Sequence, residues 1–147
     1  MAAAGVRLEV EGTLEAVSRA VADLRRCLDG RIAPDAPRDC AAIELGVAEV
    51  LTNIVQHGHG QAIELECLRR EGEVEVLVRD AGQPIPAERL YRAGPACFDF
   101  DPADLDRLPG HGMGLALVKA LFHRLDYHRA EGRNVMRLTR RLGEGGP

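Results

Sequence analysis

Apolar residues recur along this chain with two periods, and the switches between them mark its elements. Val6 to Glu11 reads as a short strand. Thr13 opens a helix through about Asp29, in which Leu14, Val17, Val21, Leu24 and Leu28 keep the helical period. Gly30 stands just past its end, as a C-cap would. Residues 31–37 read as a loop, with Asp35 able to cap a second helix that has Pro37 in its first turn. That helix runs to about His57, and Cys40, Ile43, Val47, Val50, Leu51 and Ile54 form its apolar stripe. Gly46 in its middle costs roughly 1 kcal/mol relative to alanine. A close approach of backbone or ligand would account for it, and so would chance.

The period then changes to two. Gln61 to Arg70 alternates as a strand, with Ile63, Leu65 and Cys67 on one face. Glu71-Gly72 turns the chain into a second strand, Glu73 to Asp80, and the two form a hairpin. Val74, Val76 and Val78 point one way and Asp80 continues that inward parity. A carboxylate ending a core-facing series needs a partner, because an unpaired buried charge is costly. Between Pro86 and Pro109 the pattern weakens, and a mobile loop with short helical pieces is expected over about 86–110. Gly110-His111-Gly112-Met113-Gly114-Leu115 opens a third helix, to about Arg124, apolar almost all round and so expected to be buried between layers. Leu125 to Ala130 and Asn134 to Leu142 close the chain as a hairpin around Glu131-Gly132-Arg133.

The order β-α-α-β-β-loop-α-β-β predicts an α/β (α+β) two-layer sandwich, a mostly antiparallel mixed sheet with the helices on one face. The 147 residues suit a single domain.

Composition narrows the function. A net charge of -4 and the lack of tryptophan argue against direct nucleic-acid binding, which needs a phosphate-neutralising field and stacking platforms. Cys27, Cys40, Cys67 and Cys97 are widely spaced, so four reduced thiols are expected rather than a zinc site or a disulfide framework. No apolar run could span a bilayer and no leader-like N-terminus is present, so a cytoplasmic protein without membrane contact is expected. Lys119 is the only lysine, which excludes a P-loop.

Three stretches carry candidate chemistry. Glu49 and Asn53 are one helical turn apart and, with Gln56, lie off the apolar stripe. Alone they fit a solvated polar face; they also fit a general base and a magnesium-ligating amide oxygen. Asp80-Ala81-Gly82 sets an acceptor carboxylate beside a glycine that admits a flat ring. Hydrogen bonds to a charged acceptor contribute roughly 1.5–3 kcal/mol, enough to select an exocyclic amine over a carbonyl. Gly110, Gly112 and Gly114 let backbone amides turn toward an anion, and the helix that follows adds its N-terminal dipole. Each signal is weak alone, and the three in this order are much more specific. His57 and His59 lack a third metal ligand nearby.

Taken together these residues resemble the ATP-binding domain shared by gyrase, histidine kinases and MutL, the GHKL superfamily. Glu49-x-x-x-Asn53 matches its N-box, Asp80-x-Gly82 its G1 box and Gly110-x-Gly112-x-Gly114-Leu115 its G2 box, with an ATP lid between the last two. Within that superfamily the chain resembles the anti-sigma-factor serine kinases of the RsbW/SpoIIAB type, through Glu-x-x-Thr-Asn-x-x-x-His-Gly at Glu49 to Gly58 and Leu108-Pro109-Gly110. The resemblance covers almost the whole chain, so no histidine-kinase dimerisation domain, transducer domain or sensor is expected.

The resemblance implies a Bergerat-type fold that takes ATP/ADP and Mg2+. It implies Glu49 as the base that accepts a serine proton, Asn53 as the magnesium ligand, and Thr52 and His57 in the nucleotide pocket. Asp80 would read adenine with Gly82 beside it. Gly110, His111, Gly112, Met113, Gly114 and Leu115 would cradle phosphate. Asn134 stands where a threonine near adenine is common, and Pro84 where many members have glycine, which stiffens the turn. The implied partners are an anti-anti-sigma STAS-domain protein as substrate, a sigma factor, and a second copy in a homodimer. The alternative is a nucleotide-dependent regulatory binding module with little or no kinase activity.

Overall fold

The computed structural model describes residues 4–86, 88, 90 and 113–143. Most of the expected lid, with Arg92, Phe98, Phe100 and Arg107, lies outside the described residues, as does Cys97.

The elements are β1 (Gly5–Val10), α1 (Leu14–Cys27), a π-helical turn (Leu28–Ile32), α2 (Pro37–His57), β2 (Ile63–Arg70), β3 (Glu73–Asp80), α3 (Met113–Leu121), β4 (Arg124–Ala130) and β5 (Arg133–Arg141). The strands form one sheet in the order β1-β2-β3-β5-β4, and every pairing is antiparallel. One face carries the apolar parity read from the sequence. Val10, Ile63, Leu65, Cys67, Val74, Val76, Val78, Met136 and Leu138 are buried there against α1, α2 and α3. The opposite face is polar, where Glu64 and Glu66 lie between Arg7, Arg79 and Arg133. The two-layer sandwich expected from the element order is the fold observed.

α1 starts where the sequence puts it, with the Thr13 hydroxyl accepting from the Ala16 amide at 3.1 Å. Its end differs. Gly30 is not a left-handed cap but part of a π turn, because the wider turn brings both Leu28 and Ile32 into the core. Asp35 does not cap α2 either. Ala36 holds that position with no side-chain bond, and Asp35 accepts from Arg69 at 3.0 Å instead. That bond, first among its causes, holds the Asp35 carboxyl below the ordinary value.

α2 is the middle helix of the layer, packed on α1 at one side and α3 at the other. Ile43, Val47 and Leu51 are fully buried on it. Truncating one such leucine to alanine typically costs about 2–5 kcal/mol. The close approach at Gly46 is a side chain: a Cβ there would stand 2.4 Å from Cε2 of Phe122. α3 ends at Leu121, short of Arg124, because the His123 amide donates to the Thr139 carbonyl at 2.8 Å and draws the chain onto the sheet. Nor is α3 enclosed all round, since Lys119 and Ala120 face solvent.

At the end of the sheet farther from the α2 C-terminus, Asp39 is buried and paired. The Arg140 guanidinium donates to it at 2.7 Å, and the Gly143 amide at 3.1 Å. Arg140 also donates to the Leu121 carbonyl at 2.5 Å, so one ion pair ties the first turn of α2 to the ends of α3 and β5. Burial pushes the Cys40 thiol up to about 11 and the Cys67 thiol up to about 12, so neither is a ready nucleophile. No helix among the described residues is long and apolar enough to cross a membrane.

Candidate nucleotide site

A cavity opens between the C-terminal half of α2, the end of β3 and the first turn of α3. The helical period of α2 delivers Glu49, Asn53 and His57 to it, each one turn after the last. The pleat of β3 delivers Asp80, at the end of the inward series Val74, Val76, Val78. Gly114 and Leu115 enter from α3, and Asn134 and Met136 from β5. Residues 82–86 form the remaining wall.

Asp80 is 6% exposed and Asn134 2%, so both are core residues by burial. The Asn134 side-chain amide donates to the two Asp80 oxygens at 3.0 and 3.3 Å, and to the Gly82 carbonyl at 3.0 Å. Burial pushes the Asp80 carboxyl up. The Asn134 bond and the charges of Arg129 and Arg133 oppose it. A carboxylate has about four acceptor positions, and a single amide group leaves capacity facing the cavity.

Glu49 is half-buried and lies against the start of α3. A Cβ on Gly114 would stand 3.0 Å from its Oε2, tighter than an ordinary contact. Glycine at 114 therefore makes room for the carboxylate. Gly82 has open space where a side chain would be. Thr52 is half-buried one position along α2 from Asn53 and does not line the cavity formed by the described residues. Met113 begins α3, while Gly110, His111 and Gly112 lie outside the described residues.

Two residues, Tyr127 in the cavity wall and Arg129 behind it, carry no motif. The Tyr127 hydroxyl accepts from the Ile85 amide at 2.8 Å, pinning the segment that follows Gly82 between Pro84 and Pro86. Burial is the first cause that pushes its phenol up. Arg129 donates to the Asn134 side-chain oxygen at 2.8 Å. The sequence signal for Tyr127 is its parity with Leu125 on a strand; Arg129 shares it, but as an exposed arginine it offers no apolar cue.

The lining is chemically selective. Ile54, Val78, Val118 and Met136 offer apolar surface, with Asp80 as one convergent acceptor, which suits a flat base carrying an amine. At the other end Glu49 and Asn53 offer side-chain oxygens. No group of three His, Cys, Asp or Glu side chains among the described residues could hold a metal ion. A donor set of one or two oxygens fits magnesium carried by phosphate, which takes few ligands from protein.

Known proteins resemble this chain to different extents. Residues 10–140 match the histidine kinase-like ATPase domain. The serine/threonine-protein kinase BtrW of Bordetella bronchiseptica is 35% identical over 96 residues, 62% of this chain and 63% of BtrW. The probable sensor kinase SilS of Salmonella typhimurium is 30% identical over 76 residues, 51% of this chain and 15% of SilS. The sensor histidine kinase CusS of Escherichia coli K12 is 29% identical over 84 residues, 56% of this chain and 18% of CusS. The chain thus spans under a fifth of those two sensor kinases and less than two thirds of BtrW. Among solved structures, the RsbU and RsbW domains of Rv1364c from Mycobacterium tuberculosis superpose with a TM-score of 0.61. Identity there is 23%, covering 94% of this chain and 32% of that one, a likeness of fold.

Proposed function

The chain belongs to the histidine kinase-like ATPase domain family, and from that premise we propose that it is an ATP-dependent protein-serine kinase that also acts as an anti-sigma factor. The observation that carries this reading is the convergence of Glu49, Asn53, Asp80 and Gly114 on one cavity from three separate elements. The similarity to BtrW supports protein serine, rather than histidine, as the acceptor.

In the proposed reaction Asp80 accepts a hydrogen bond from the exocyclic amine of adenine, and Gly82 leaves the ring room. The segment 110–114 and the start of α3 hold the phosphates. Asn53 contributes its amide oxygen to Mg2+, which when bound offsets negative charge on the phosphates. Glu49 takes the proton of the target serine as its hydroxyl oxygen bonds to the γ-phosphorus. The bond from that phosphorus to the β–γ bridging oxygen breaks, and ADP departs with that electron pair. The substrate is a STAS-domain anti-anti-sigma protein. Once phosphorylated it releases the kinase, which then sequesters a sigma factor. On the same reading the protein is a cytoplasmic homodimer, and the segment 86–110 is a lid over the nucleotide.

The deciding experiment incubates the full chain with ATP labelled at the γ-phosphate and STAS-domain proteins encoded in the same genome. Label on a serine that disappears with Glu49→Gln, while ATP binding persists, is the expected result. ATP binding without transfer to any of them would replace the kinase with a nucleotide-switched binding module.

A further inference from the structure

Three residues on three neighbouring strands form one polar row beside the cavity. The register sets Asp80 of β3 opposite Asn134 of β5, and Asn134 opposite Arg129 of β4. The preceding rows on the same face are Val78, Met136 and Tyr127, then Val76, Leu138 and Leu125. The polar row therefore closes a largely apolar surface.

Asn134 is engaged at both ends of its amide. Its nitrogen donates to Asp80 and to the Gly82 carbonyl, and its oxygen accepts from Arg129 Nη1 at 2.8 Å. Arg129 is itself held by the carbonyls of Gly82 and Gly132, at 3.3 and 3.4 Å. The two ends of an asparagine amide are nearly equal in shape and opposite in polarity, whereas a guanidinium only donates. Arg129, together with the Gly82 carbonyl, thus sets the oxygen of Asn134 toward β4 and its nitrogen toward Asp80. The reverse orientation would set two acceptors against each other at Asp80 and two donors at Arg129.

We infer that Arg129 is a positioning residue for base recognition: acting through Asn134, it keeps Asp80 an acceptor-only carboxylate toward the cavity, and so favours a purine with an exocyclic amine over one with a carbonyl. This rests on the adenine reading of Asp80 given above.

The electrostatics agree with the geometry. The groups facing Asp80 are Asn134 from β5, Arg129 and Tyr127 from β4, and, across the cavity, Glu49 and His57 from α2, while Arg133, paired with Glu64 on the polar face of the sheet, acts through its charge alone. Of these, the Asn134 bond and the two arginine charges favour the carboxylate form against burial. Without Arg129 one of those charges is gone, and the bonds to Asp80 and the Gly82 carbonyl alone hold the amide, so the turned orientation becomes less costly. A turned amide accepts from a protonated Asp80, so protonation moves toward higher pH.

The test titrates ATP and GTP into the full chain by calorimetry, from neutral pH downward across the range in which circular dichroism shows folded protein. With Arg129→Met we expect ATP to bind about tenfold more weakly. The preference for ATP over GTP should shrink, and the acid-side loss of ATP affinity should move to higher pH. His57 and the nucleotide phosphates are common to both proteins, so the comparison between the two isolates the change at Arg129. Arg129→Lys, which keeps a charged donor, should restore all three properties in part. Arg137→Met, on the outer face of β5 beside Glu75, should behave as the parent. Should the methionine variant not fold, Arg129→Gln carries the same comparison. Parental affinity, preference and pH profile in the Arg129 variants would overturn the inference, as would equal weakening of ATP and GTP with no pH displacement. Asp80→Asn separates the levels. If it loses ATP while the Arg129 variants do not, only the inference falls; if it keeps ATP, the adenine reading falls too.

Discussion

Asn134 lies directly across from Asp80 in the β3–β5 ladder, and its amide nitrogen spans both carboxylate oxygens. The pair explains how a buried acid ends an apolar strand without unfolding it. It also explains why the site departs from a simple hydroxyl partner: an amide can donate to Asp80 and to the Gly82 carbonyl at once.

A first prediction concerns Asp80 and pH. Burial raises its carboxyl above the ordinary value of 3.8. A raised acid contributes stability in full below the unfolded value, and loses it as pH rises through the folded value. Ionised Asp80 therefore costs stability at neutral pH. Asp80→Asn should be at least as stable as the parent there, since its amide oxygen still accepts from Asn134, yet should lose ATP binding. Melting temperatures of both proteins across pH check this. The advantage of the variant should grow from acid to neutral pH, and an advantage confined to acid pH would reverse the assignment.

Strand parity makes Asp80 and Asn134 legible in the sequence, because alternate residues on a pleated strand share a face whatever surrounds them. Glu49 and Asn53 are legible for the matching reason on a helix. Arg129 is not, since its partner depends on the β4–β5 register. That register is fixed by a tight turn in which Glu131 and Gly132 take φ of 54° and 75°. The π turn after α1 and the Arg69 partner of Asp35 escape for a related reason. Each local signal, Gly30 as a cap and Asp35 as an N-cap, loses to a tertiary contact that no local pattern encodes.

A second prediction divides the work of α2. Asn53→Ala should weaken ATP binding in the presence of magnesium and flatten its dependence on magnesium concentration, because the protein then offers the ion one oxygen fewer. Glu49→Gln should leave affinity near the parent value and lower transfer by about 10²–10⁴-fold, the usual contribution of a general base. Binding titrations with and without chelator, beside single-turnover transfer, separate the two. Full magnesium-dependent affinity in Asn53→Ala would exchange the roles.

A third prediction tests the Asp39–Arg140 pair, whose side chains are 8% and 13% exposed. Arg140→Met removes the guanidinium from a buried carboxylate that also accepts from the Gly143 amide, and frees the Leu121 carbonyl at the end of α3. Breaking a buried pair from one side typically costs about 3–5 kcal/mol. Urea denaturation should show a loss of that order. Asp39→Asn in the same background, which removes the orphaned charge, should recover part of it. Equal stability of the single and double variants would mean that the helix tie, not the charge, carries the cost.

A fourth prediction sets helix propensity against packing at Gly46. On propensity alone Gly46→Ala should stabilise α2 by about 1 kcal/mol. Its Cβ would, however, lie 2.4 Å from Cε2 and 3.2 Å from Cζ of the Phe122 ring. That ring is 5% exposed and belongs to the core, so it has no open side to swing toward. Overpacking of this kind costs about 1–3 kcal/mol, so the net change should be a loss or near zero rather than the full gain. Phe122→Leu in the alanine background should relieve the contact, because leucine lacks the ring edge that meets position 46. A double-mutant cycle by thermal or urea unfolding measures the coupling directly. Strictly additive effects would show that α2 and α3 separate to admit the methyl group.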